Sequence, residues 1–394
     1  MNLALVKGFD MHIAFNGWFW NQPFTGSGQY LRHLLAALHE VAPELRATLV
    51  VPDHAQTLDN LPPDTDVLPV KTAGSGHMGK VMFEQRGFPR AVERLKATLA
   101  HVPYWGPPLR SPVPLVCSVL DVIPLLVPAY HAGFRNRLYT GLVKAAARGA
   151  THILTISDAS KRDIVQHIGV PAERVTVTLL AADDVFSPDL QPGDEAVRAR
   201  YGLEDVDDFV LYLGSFVAHK NVELLLAAYT YVVKSMGPDV PLVLAGRPPD
   251  TWGTPRFPDL PAYAEKLNFT DDNVLRWIGP VDEADKPALY RLARVFVFPS
   301  RYEGFGLGPL EAMASGTPVV ACDVSSLPEV VGDAAFLGQP DDPEAMGGAI
   351  LSLLVEPEHA AAMQQRGLDR ARTFSWQQTA ERTLAAYRAL LQTN

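Results

Sequence analysis

Two kinds of hydrophobic pattern alternate along the first half of the chain. Short runs rich in valine, isoleucine and leucine, such as residues 11–16 (MHIAFN) and 152–157 (HILTIS), predict buried β-strands. Longer segments have apolar residues at helical spacing, as in the segment that begins at Ser27. Near-continuous apolar strands separated by helices are typical of a parallel sheet that is covered on both faces. The remaining strands of this half are predicted at 47–52, 98–103, 114–121 and 174–181, and its other helices near 82–96, 134–149 and 158–168.

The same alternation starts again after an interruption. Residues 183–203 are rich in proline, glycine and charged residues, which indicates a connection between domains. Beyond this connection, residues 209–215 (FVLYLGS) predict a strand, and the segment from Asn221 predicts a helix. Later strands are predicted at 241–246, 273–279, 295–300 and 317–322, and later helices at 284–293 and 307–315.

The length of 394 residues exceeds what one hydrophobic core usually supports, so two domains are expected. We predict an α/β protein made of two Rossmann-like parallel-sheet domains that face a central cleft, because ligands of open parallel sheets bind at the carboxyl ends of the strands. The N-terminal domain is predicted to span 11–187 and the C-terminal domain 188–375. Residues 376–394 follow the last strand and predict a long amphipathic helix.

Cysteine usage and hydropathy fit a cytoplasmic protein. The only cysteines, Cys117 and Cys322, lie in predicted strands, which argues against a disulfide framework or a thiolate metal site and fits a reducing compartment. No apolar stretch reaches the length of a membrane span, because the best candidate is interrupted by a charged residue and a proline. Residues 1–10 lack a signal-peptide pattern and are expected to form a short extension ahead of Met11.

The net charge of −10 is concentrated in the second half of the chain, which makes nucleic acid an unfavourable partner. The first half nevertheless contains two groups of basic residues. They indicate either solvated helix faces or a face toward anionic lipid or a phosphorylated acceptor. The two groups are Lys80, Arg86, Arg90, Arg94 and Lys96, and Arg135, Arg137, Lys144 and Arg148.

Residues 300–320 (SRYEGFGLGPLEAMASGTPVV) place two glutamates around a glycine-rich turn between a predicted strand and a predicted helix. Glycines let the backbone approach a ligand closely, and the N–H groups at a helix start favour an anion, so the turn predicts a phosphate cradle. Glu303 and Glu311 would repel a phosphate, and we expect them to accept hydrogen bonds from sugar hydroxyls instead. A nucleotide-diphospho-sugar has hydroxyls on both sides of its phosphates. The alternative is that the acidic residues only offset the helix dipole.

Two more glycine turns lie between a predicted strand and a predicted helix. The segment LGSFVAHKN, from Leu213, contains Lys220, which suits a diphosphate as a point charge. The segment TGSGQYL, from Thr25, is expected to approach the ligand from the opposite wall through its two glycines. Each turn alone is a weak signal, but three of them at predicted strand ends favour a ligand-binding protein. The candidate residues in these two turns are Gly26, Gly28, Gly214, Ser215, His219 and Lys220.

Together these segments resemble the retaining glycosyltransferases of the GT-B fold, in particular glycosyltransferase family 4, the group 1 glycosyltransferases. The resemblance runs nearly from end to end, and Glu303 and Glu311 match the family's E-x7-E motif. It implies that Glu303 contacts the donor sugar, that Glu311 holds the ribose hydroxyls, and that the terminal helix crosses back to the first domain. It also implies that the diphosphate is bound by Lys220 and the turn Gly304, Phe305, Gly306 and Leu307, and that the base lies against residues from Trp277 to Val281, including Ile278 and Gly279.

Two positions depart from the family pattern. Many relatives have Val-His-Asp where this chain has Val119-Leu120-Asp121, so a histidine near the transferred sugar is missing. Asp121 either accepts a hydroxyl of sugar or acceptor or closes the following turn. His101 is a candidate compensating group, although a lone histidine at a strand end is more often structural. Many relatives have Arg-Lys-Asn where this chain has His219-Lys220-Asn221, so a permanent charge is replaced by a group that titrates near pH 6 to 7.

The resemblance implies transfer of a hexosyl group, of mannosyl or glucosyl type, from a UDP- or GDP-sugar to a hydroxyl of a saccharide or lipid-linked acceptor. It implies retention of configuration by same-face attack, without a metal or a cofactor. A peripheral position at the inner face of the membrane is compatible with the basic residues. The alternatives are a nucleotide-sugar epimerase, a sugar phosphorylase and a non-catalytic nucleotide-sugar-binding subunit, the last made credible by Leu120.

Overall fold

The computed structural model describes residues 11–55, 58–72, 76–127 and 134–392. The expected N-terminal extension and the side chains of Arg135 and Arg137 lie outside the described part. Two compact units are present, and the chain passes from one to the other near residue 180. Unit 1 contains most of the described residues up to Leu180 together with the segment from Trp376, and unit 2 contains Ala181–Ser375.

Within the described residues, unit 1 is built on seven parallel strands. They are β1 (His12–Asn16), β2 (Arg46–Pro52), β3 (Asp66–Val70), β4 (Leu99–Val102), β5 (Leu115–Ser118), β6 (His152–Thr155) and β7 (Val175–Val177). Their order in the sheet is β3-β2-β1-β4-β5-β6-β7. The central strand β1 is buried along its whole length, and Ile13 pairs with Ala47 on one side and Leu99 on the other. A strand buried on both faces in this way is why the apolar runs were continuous rather than alternating.

Strand β3 was not predicted from the sequence. It lies at the edge of the sheet as far as the described residues show, pairs with β2, and its residues are exposed or half-buried. A short edge strand that contains Pro69 has little hydrophobic signal, because one of its sides faces solvent.

Helices connect the strands of this part of the chain. The predicted helix near 82–96 is interrupted by a π-helical turn at Phe83–Gly87. A second π-helical turn, at Ile164–Ile168, follows helix α6. The α-helices are α1 (Gly26–Val41), α2 (Gly76–Met82), α3 (Phe88–Leu95), α4 (Ile123–Leu126), α5 (Phe134–Gly149) and α6 (Asp158–Asp163).

Unit 2 repeats the architecture with six parallel strands among the described residues. They are β8 (Val210–Leu213), β9 (Leu242–Ala245), β10 (Leu275–Gly279), β11 (Val295–Phe298), β12 (Val319–Cys322) and β13 (Ala335–Gly338). Their order is β10-β9-β8-β11-β12-β13. The short strand β13 at the edge was missed from the sequence. The helices are α7 (Asp194–Arg200), α8 (Val222–Met236), α9 (Leu260–Lys266), α10 (Lys286–Leu292), α11 (Leu307–Ala314), α12 (Leu327–Val331), α13 (Pro343–Val355) and α14 (Pro357–Ala371).

The last helix, α15 (Trp376–Gln392), packs within unit 1 against α1. The Trp376 ring stacks on His33 with ring centroids 4.7 Å apart. Further along α15, the Tyr387 hydroxyl is 2.6 Å from Nδ1 of His101, at the buried centre of the unit. The helix is therefore attached to unit 1 both at its start and near its end. No helix in the described ranges combines the length and the apolar character that a membrane crossing requires.

Candidate active site

Two neighbouring strands of unit 2 bring together residues that are 83 positions apart in the chain. Lys220 follows β8 and Glu303 follows β11, and these strands are paired in the sheet. The Lys220 Nζ donates a hydrogen bond of 2.6 Å to Oε1 of Glu303. Only 18% of the lysine side chain and 12% of the glutamate side chain are exposed. The carboxyl edge of the sheet therefore holds a close, largely buried ion pair at the position where open parallel sheets bind ligands.

The local backbone fixes the lysine. Asn221, directly after Lys220, has a left-handed conformation with φ of 57°, which asparagine tolerates better than most residues. Its side chain accepts a hydrogen bond of 3.1 Å from Nε of Arg301, and the N–H of Arg301 donates to the carbonyl of His219. The Lys220 ammonium also lies 4.9 Å from the centre of the Phe298 ring. The loops after β8 and β11 are therefore tied together around the ion pair.

The glycine turn after Glu303 has the geometry of an anion-binding helix start. Gly306 has φ of +119°, and a Cβ there would lie 2.8 Å from the Leu327 side chain, so no other residue fits. It is the N-cap of α11, and a glycine has no side chain with which to cap the first N–H groups. The Ser326 hydroxyl, within bonding distance of the carbonyls of Glu303 and Phe305, holds the turn in place. The start of α11, at Leu307, is thus open to an external acceptor of hydrogen bonds.

Glu311 lies one turn into α11 and is only 7% exposed. The Tyr290 hydroxyl donates a hydrogen bond of 3.1 Å to its Oε2. Burial raises the pKa of Glu311 to about 7, and the positive charge of Lys286 acts in the opposite direction. The carboxyl group is therefore close to its titration point near neutral pH, and hydroxyl donors from a ligand would favour the carboxylate.

The ends of strands β8, β9 and β10 approach one another closely through glycines. The N–H of Gly214, after β8, donates to Ala245, and the N–H of Gly246 donates to Gly279. A Cβ on Gly246 would lie 2.0 Å from the carbonyl oxygen of Gly214, so these loops touch without side chains between them. Ser215 is held by its own carbonyl, which accepts a hydrogen bond of 2.6 Å from the Tyr212 hydroxyl.

An aromatic group lies beside the segment predicted to contact the base. Trp277 is 39% exposed, and its ring is 5.4 Å from Phe216 and 6.1 Å from Trp252. Ile278, Gly279 and Val281 follow Trp277 along the chain. Phe216 and Trp252 were not predicted as site residues, because a single aromatic residue in a sequence does not show which other rings it will meet in the fold.

The predicted role of His219 as a titrating charge near pH 6 to 7 is wrong. Burial lowers the pKa of His219 to about 4, and the neighbouring Lys220 charge acts in the same direction, partly offset by Glu303. His219 is therefore neutral at physiological pH. Its backbone carbonyl, rather than its ring charge, contributes to the site by fixing the loop of Arg301.

His101 does not fit the predicted role of a sugar contact. It is fully buried in unit 1, its Nε2 is 2.8 Å from the Ser118 hydroxyl, and its Nδ1 is 2.6 Å from the Tyr387 hydroxyl. Burial lowers its pKa to about 3, so the ring is neutral. Both nitrogens have partners within the protein, so His101 has a structural role rather than a place in the candidate site.

Gly28 also has a local explanation rather than a donor-binding one. Its N–H donates to the hydroxyl of Thr25, the N-cap of α1. A Cβ at Gly28 would lie 2.1 Å from the carbonyl oxygen of Gln22 and 2.9 Å from that of Phe19. The glycine therefore lets the loop after β1 fold back onto the helix, and its amide is already in use.

Asp121 closes the turn that follows it, which is one of the two roles considered for it from the sequence. Its Oδ1 accepts a hydrogen bond of 2.9 Å from the N–H of Ile123. The carbonyl of Leu120 accepts a hydrogen bond from the Ser160 hydroxyl. The segment is thus held at the end of β5.

Two family models match the chain, one in each half. The family model described as Glycosyl transferases group 1 matches residues 194–370, and the model described as Glycosyltransferase Family 4 matches residues 24–183. The chain is 31% identical over 382 residues to O-antigen chain mannosyltransferase B of Escherichia coli, an alignment that covers 93% of this chain and 97% of that protein.

Solved structures resemble both units together. Sucrose-phosphate synthase from Thermosynechococcus elongatus matches with a TM-score of 0.76 at 21% identity, covering 98% of this chain and 100% of the other. Anabaena HepE in complex with UDP-glucose matches with a TM-score of 0.69 at 18% identity, covering 95% and 100%. These likenesses, with the two parallel sheets, confirm the predicted GT-B fold of two Rossmann-like domains. The chain therefore belongs to family 4 of the glycosyltransferases, the group 1 glycosyltransferases, and is a glycosyltransferase.

Proposed function

We propose that the enzyme transfers a hexosyl group from a nucleotide-diphospho-sugar to an acceptor hydroxyl, with retention of anomeric configuration. The observation that carries the proposal is the meeting of Lys220, Glu303 and the glycine turn at the ends of β8 and β11. A cation and an uncapped helix start suit a diphosphate, and a carboxylate beside them suits a sugar hydroxyl.

Each group has a distinct role in the proposed reaction. Lys220 and the N–H groups at the start of α11 stabilise the charge that develops on the leaving diphosphate, which is usually the largest catalytic contribution. Glu303 accepts a hydrogen bond from the transferred sugar, and Glu311 accepts hydrogen bonds from the ribose. Trp277 and the segment through Val281 form the surface for the base. No step requires a metal ion, because Lys220 and the helix start supply the positive potential.

The proposed chemistry is a same-face displacement. The bond between the anomeric carbon and the diphosphate oxygen breaks, and a bond from the acceptor oxygen forms on the same face of the sugar. The acceptor's proton passes to the leaving phosphate oxygen, so the products are a glycoside and a nucleoside diphosphate. His101 is too deeply buried to take part, and Asp121 remains a candidate for accepting a hydroxyl of sugar or acceptor.

The donor is proposed to be a UDP- or GDP-sugar of mannosyl or glucosyl type. A mannosyltransferase is among the relatives, and the structure of HepE contains UDP-glucose. The acceptor is proposed to be a saccharide or a lipid-linked saccharide bound by the first domain, in a polysaccharide pathway of the cytoplasm. Peripheral contact with the membrane is supported by the exposed basic residues around α3, namely Arg86, Arg90, Arg94 and Lys96. Flotation with anionic vesicles tests that contact.

The test of the function is incubation of the purified protein with UDP-, GDP- and ADP-sugars, with and without saccharide acceptors extracted from cells. Transfer that requires an acceptor and persists in EDTA supports the proposal. Conversion of the donor without an acceptor indicates an epimerase, and dependence on inorganic phosphate indicates a phosphorylase. Binding without turnover, with transfer restored by Leu120→His, would identify a non-catalytic binding subunit.

A further inference from the structure

A second lysine–glutamate pair lies in unit 1, outside the candidate donor site. We call it the Lys80 cluster, and it consists of Phe19, Lys80, Glu84, Tyr104 and Tyr139. Phe19 follows β1 and Tyr104 follows β4, and these two strands are neighbours in the sheet. Lys80 comes from α2 and Glu84 from the π-helical turn that continues it. The cluster therefore lies at the carboxyl edge of the unit 1 sheet, where open parallel sheets bind ligands.

Aromatic rings surround the ammonium group of Lys80. Its Nζ lies 4.9 Å from the ring centre of Phe19, 5.0 Å from that of Tyr104 and 5.6 Å from that of Tyr139. It donates a hydrogen bond of 3.1 Å to the Tyr139 hydroxyl, and it is 3.4 Å from Oε1 of Glu84. The Lys80 side chain is still 18% exposed, so the cluster is not sealed from solvent.

Glu84 lies behind the lysine and is only 1% exposed. Among the described residues, neither of its carboxylate oxygens makes a hydrogen bond of good geometry. Burial raises the pKa of Glu84 to about 7, against the opposing charge of Lys80. A buried carboxyl group costs free energy even with the Lys80 charge and the Tyr104 hydroxyl beside it, and replacing such a buried pair with apolar residues is often neutral or stabilising. Stability alone therefore does not explain Glu84.

The surrounding backbone is shaped to accommodate this pair. Glu84 lies in the π-helical turn Phe83–Gly87, and such turns are frequent at functional sites. A Cβ on Gly106 would lie 2.5 Å from Oε1 of Glu84, so the loop after β4 passes directly over the carboxylate. Gly28 gives the same freedom to the loop that carries Phe19. Two glycines and a π-helical turn thus place a costly charge pair among aromatic rings.

The opposite charges of Lys80 and Glu84 favour a neutral ligand over an anionic one. An anion that approached Lys80 would come within a few ångströms of the Glu84 carboxylate, and the repulsion would offset much of its attraction to the lysine. A neutral hydroxyl avoids this repulsion and can accept a hydrogen bond from Lys80. Phe19 and Tyr139 are only half-buried, so part of each aromatic side chain remains accessible as apolar surface for a sugar ring.

We propose that the Lys80 cluster binds a sugar ring of an uncharged saccharide acceptor, and that Glu84 makes the site discriminate against phosphorylated sugars. Lys80 donates to the ring hydroxyls, and Glu84, a positioning residue, balances the lysine charge from behind. The assignment of this sugar as the acceptor rests on the proposed transferase function. Lys80 itself then fits neither interpretation of the basic residues, since it is neither part of a solvated face nor built for a phosphorylated acceptor.

The test compares two probes on the full-length protein by ligand-observed NMR titration, methyl α-D-mannopyranoside and D-mannose 6-phosphate. The parent should bind the uncharged probe more tightly. Glu84→Gln should shift the ratio of the two affinities by about tenfold or more toward the phosphorylated probe, because it exposes the lysine charge. A merely structural role of Glu84 would weaken both probes alike. Lys80→Met/Glu84→Gln should lose binding of both, and Lys234→Met, which removes a lysine that also lies over a tyrosine ring, should change neither.

Two results would overturn the inference. One is that the parent fails to bind methyl α-D-mannopyranoside while calorimetry shows that it binds a nucleotide-sugar. The other is that a folded Glu84→Gln variant keeps the parental ratio of affinities. If that variant does not fold, Phe19→Leu takes its place, and unchanged binding of the uncharged probe contradicts the site. Failure of all nucleotide-sugars to bind would instead remove the proposed function and leave the saccharide site standing.

Discussion

The two lysine–glutamate pairs of this enzyme lie at the carboxyl edges of two similar sheets, yet they differ in construction. Lys220 and Glu303 come from distant parts of the chain and meet at 2.6 Å. Lys80 and Glu84 are one helical turn apart, and their charged atoms are 3.4 Å apart. The first pair is bordered by a helix start with no side-chain cap, and the second is enclosed by aromatic rings.

This difference indicates how the same two residue types serve different ligands. Beside the start of α11, the positive potential of the helix adds to the lysine, so a diphosphate is favoured even with Glu303 present. In the Lys80 cluster, the aromatic rings and the buried carboxylate leave a nearly neutral, apolar surface. The surroundings of the lysine, rather than the lysine itself, therefore determine whether the site suits an anion or a neutral sugar.

The largest expected effect comes from replacing the two lysines, which should change different kinetic parameters. Lys220→Ala should lose about 2–4 kcal/mol of transition-state stabilisation, or roughly 30- to 1000-fold in kcat/KM, because it removes a fixed charge at the leaving group. Lys80→Met should raise the KM for the acceptor and leave donor affinity unchanged. Steady-state kinetics with both substrates varied measure this difference. Activity of Lys220→Ala within about twofold of the parent would mean that the lysine is only a helix-start residue.

The next effect separates the two glutamates of the donor site. Glu303→Gln should lower turnover more than donor binding, because its proposed contact is with the transferred sugar. Glu311→Gln should weaken donor binding by roughly 1–3 kcal/mol, the usual result of losing charged hydrogen bonds to a ligand. Calorimetry with the nucleotide-sugar and single-turnover rates distinguish the two variants. Parental affinity in Glu311→Gln would remove the ribose assignment.

The pH dependence of donor binding sharpens the assignment of Glu311. Its pKa of about 7 means that the carboxylate forms as the pH rises through neutrality, and ribose hydroxyls bind the carboxylate better than the acid. Donor affinity should therefore increase from about pH 6 to pH 8, by up to roughly tenfold. His219 adds no opposing change there, because its pKa is about 4. The rise should disappear in Glu311→Gln, and affinity that falls over this range would contradict the assignment.

The last prediction concerns stability and involves Glu84. Its folded pKa of about 7 lies above the value near 4.5 of an unfolded chain, so the folded state binds more protons between these values. The stabilisation from the protonated group is complete below about pH 4.5 and is lost as the pH rises through about 7. The free energy of unfolding should fall over this window by on the order of 1–3 kcal/mol more in the parent than in Glu84→Gln. Chemical denaturation at several pH values measures this, and parallel curves for the two proteins would contradict the burial of a titrating carboxyl group.

The central strands of both sheets could be predicted from the sequence, and the candidate donor residues could be selected from it, because both have local signals. Apolar runs marked the buried strands, and the E-x7-E spacing marked Glu303 and Glu311. The edge strands β3 and β13 were missed, since an edge strand has a weaker hydrophobic pattern.

The other candidate residues could not be assigned from the sequence, because their protonation states and contacts depend on how deeply the fold buries them. The sequence indicated a titrating charge at His219 and a candidate sugar contact at His101, but both side chains are buried and desolvation keeps both neutral. Lys80 and Glu84 have the spacing of an ordinary exposed helical ion pair, so nothing in the sequence indicated an aromatic enclosure. The contacts that distinguish them come from Phe19, Tyr104 and Tyr139, which only the fold brings together.

The central claim is that this chain moves a hexosyl group with retention from a donor held by Lys220. The most direct measurement is NMR of the product formed from a donor labelled with ¹³C at the anomeric carbon, in the presence of a saccharide acceptor, for the parent, Lys220→Ala and Lys234→Ala. We predict a new glycosidic bond with the donor's anomeric configuration, formed only with acceptor, at the parental rate in Lys234→Ala and far more slowly in Lys220→Ala. An inverted product, loss of the donor without an acceptor, or equal rates in all three proteins would contradict the account.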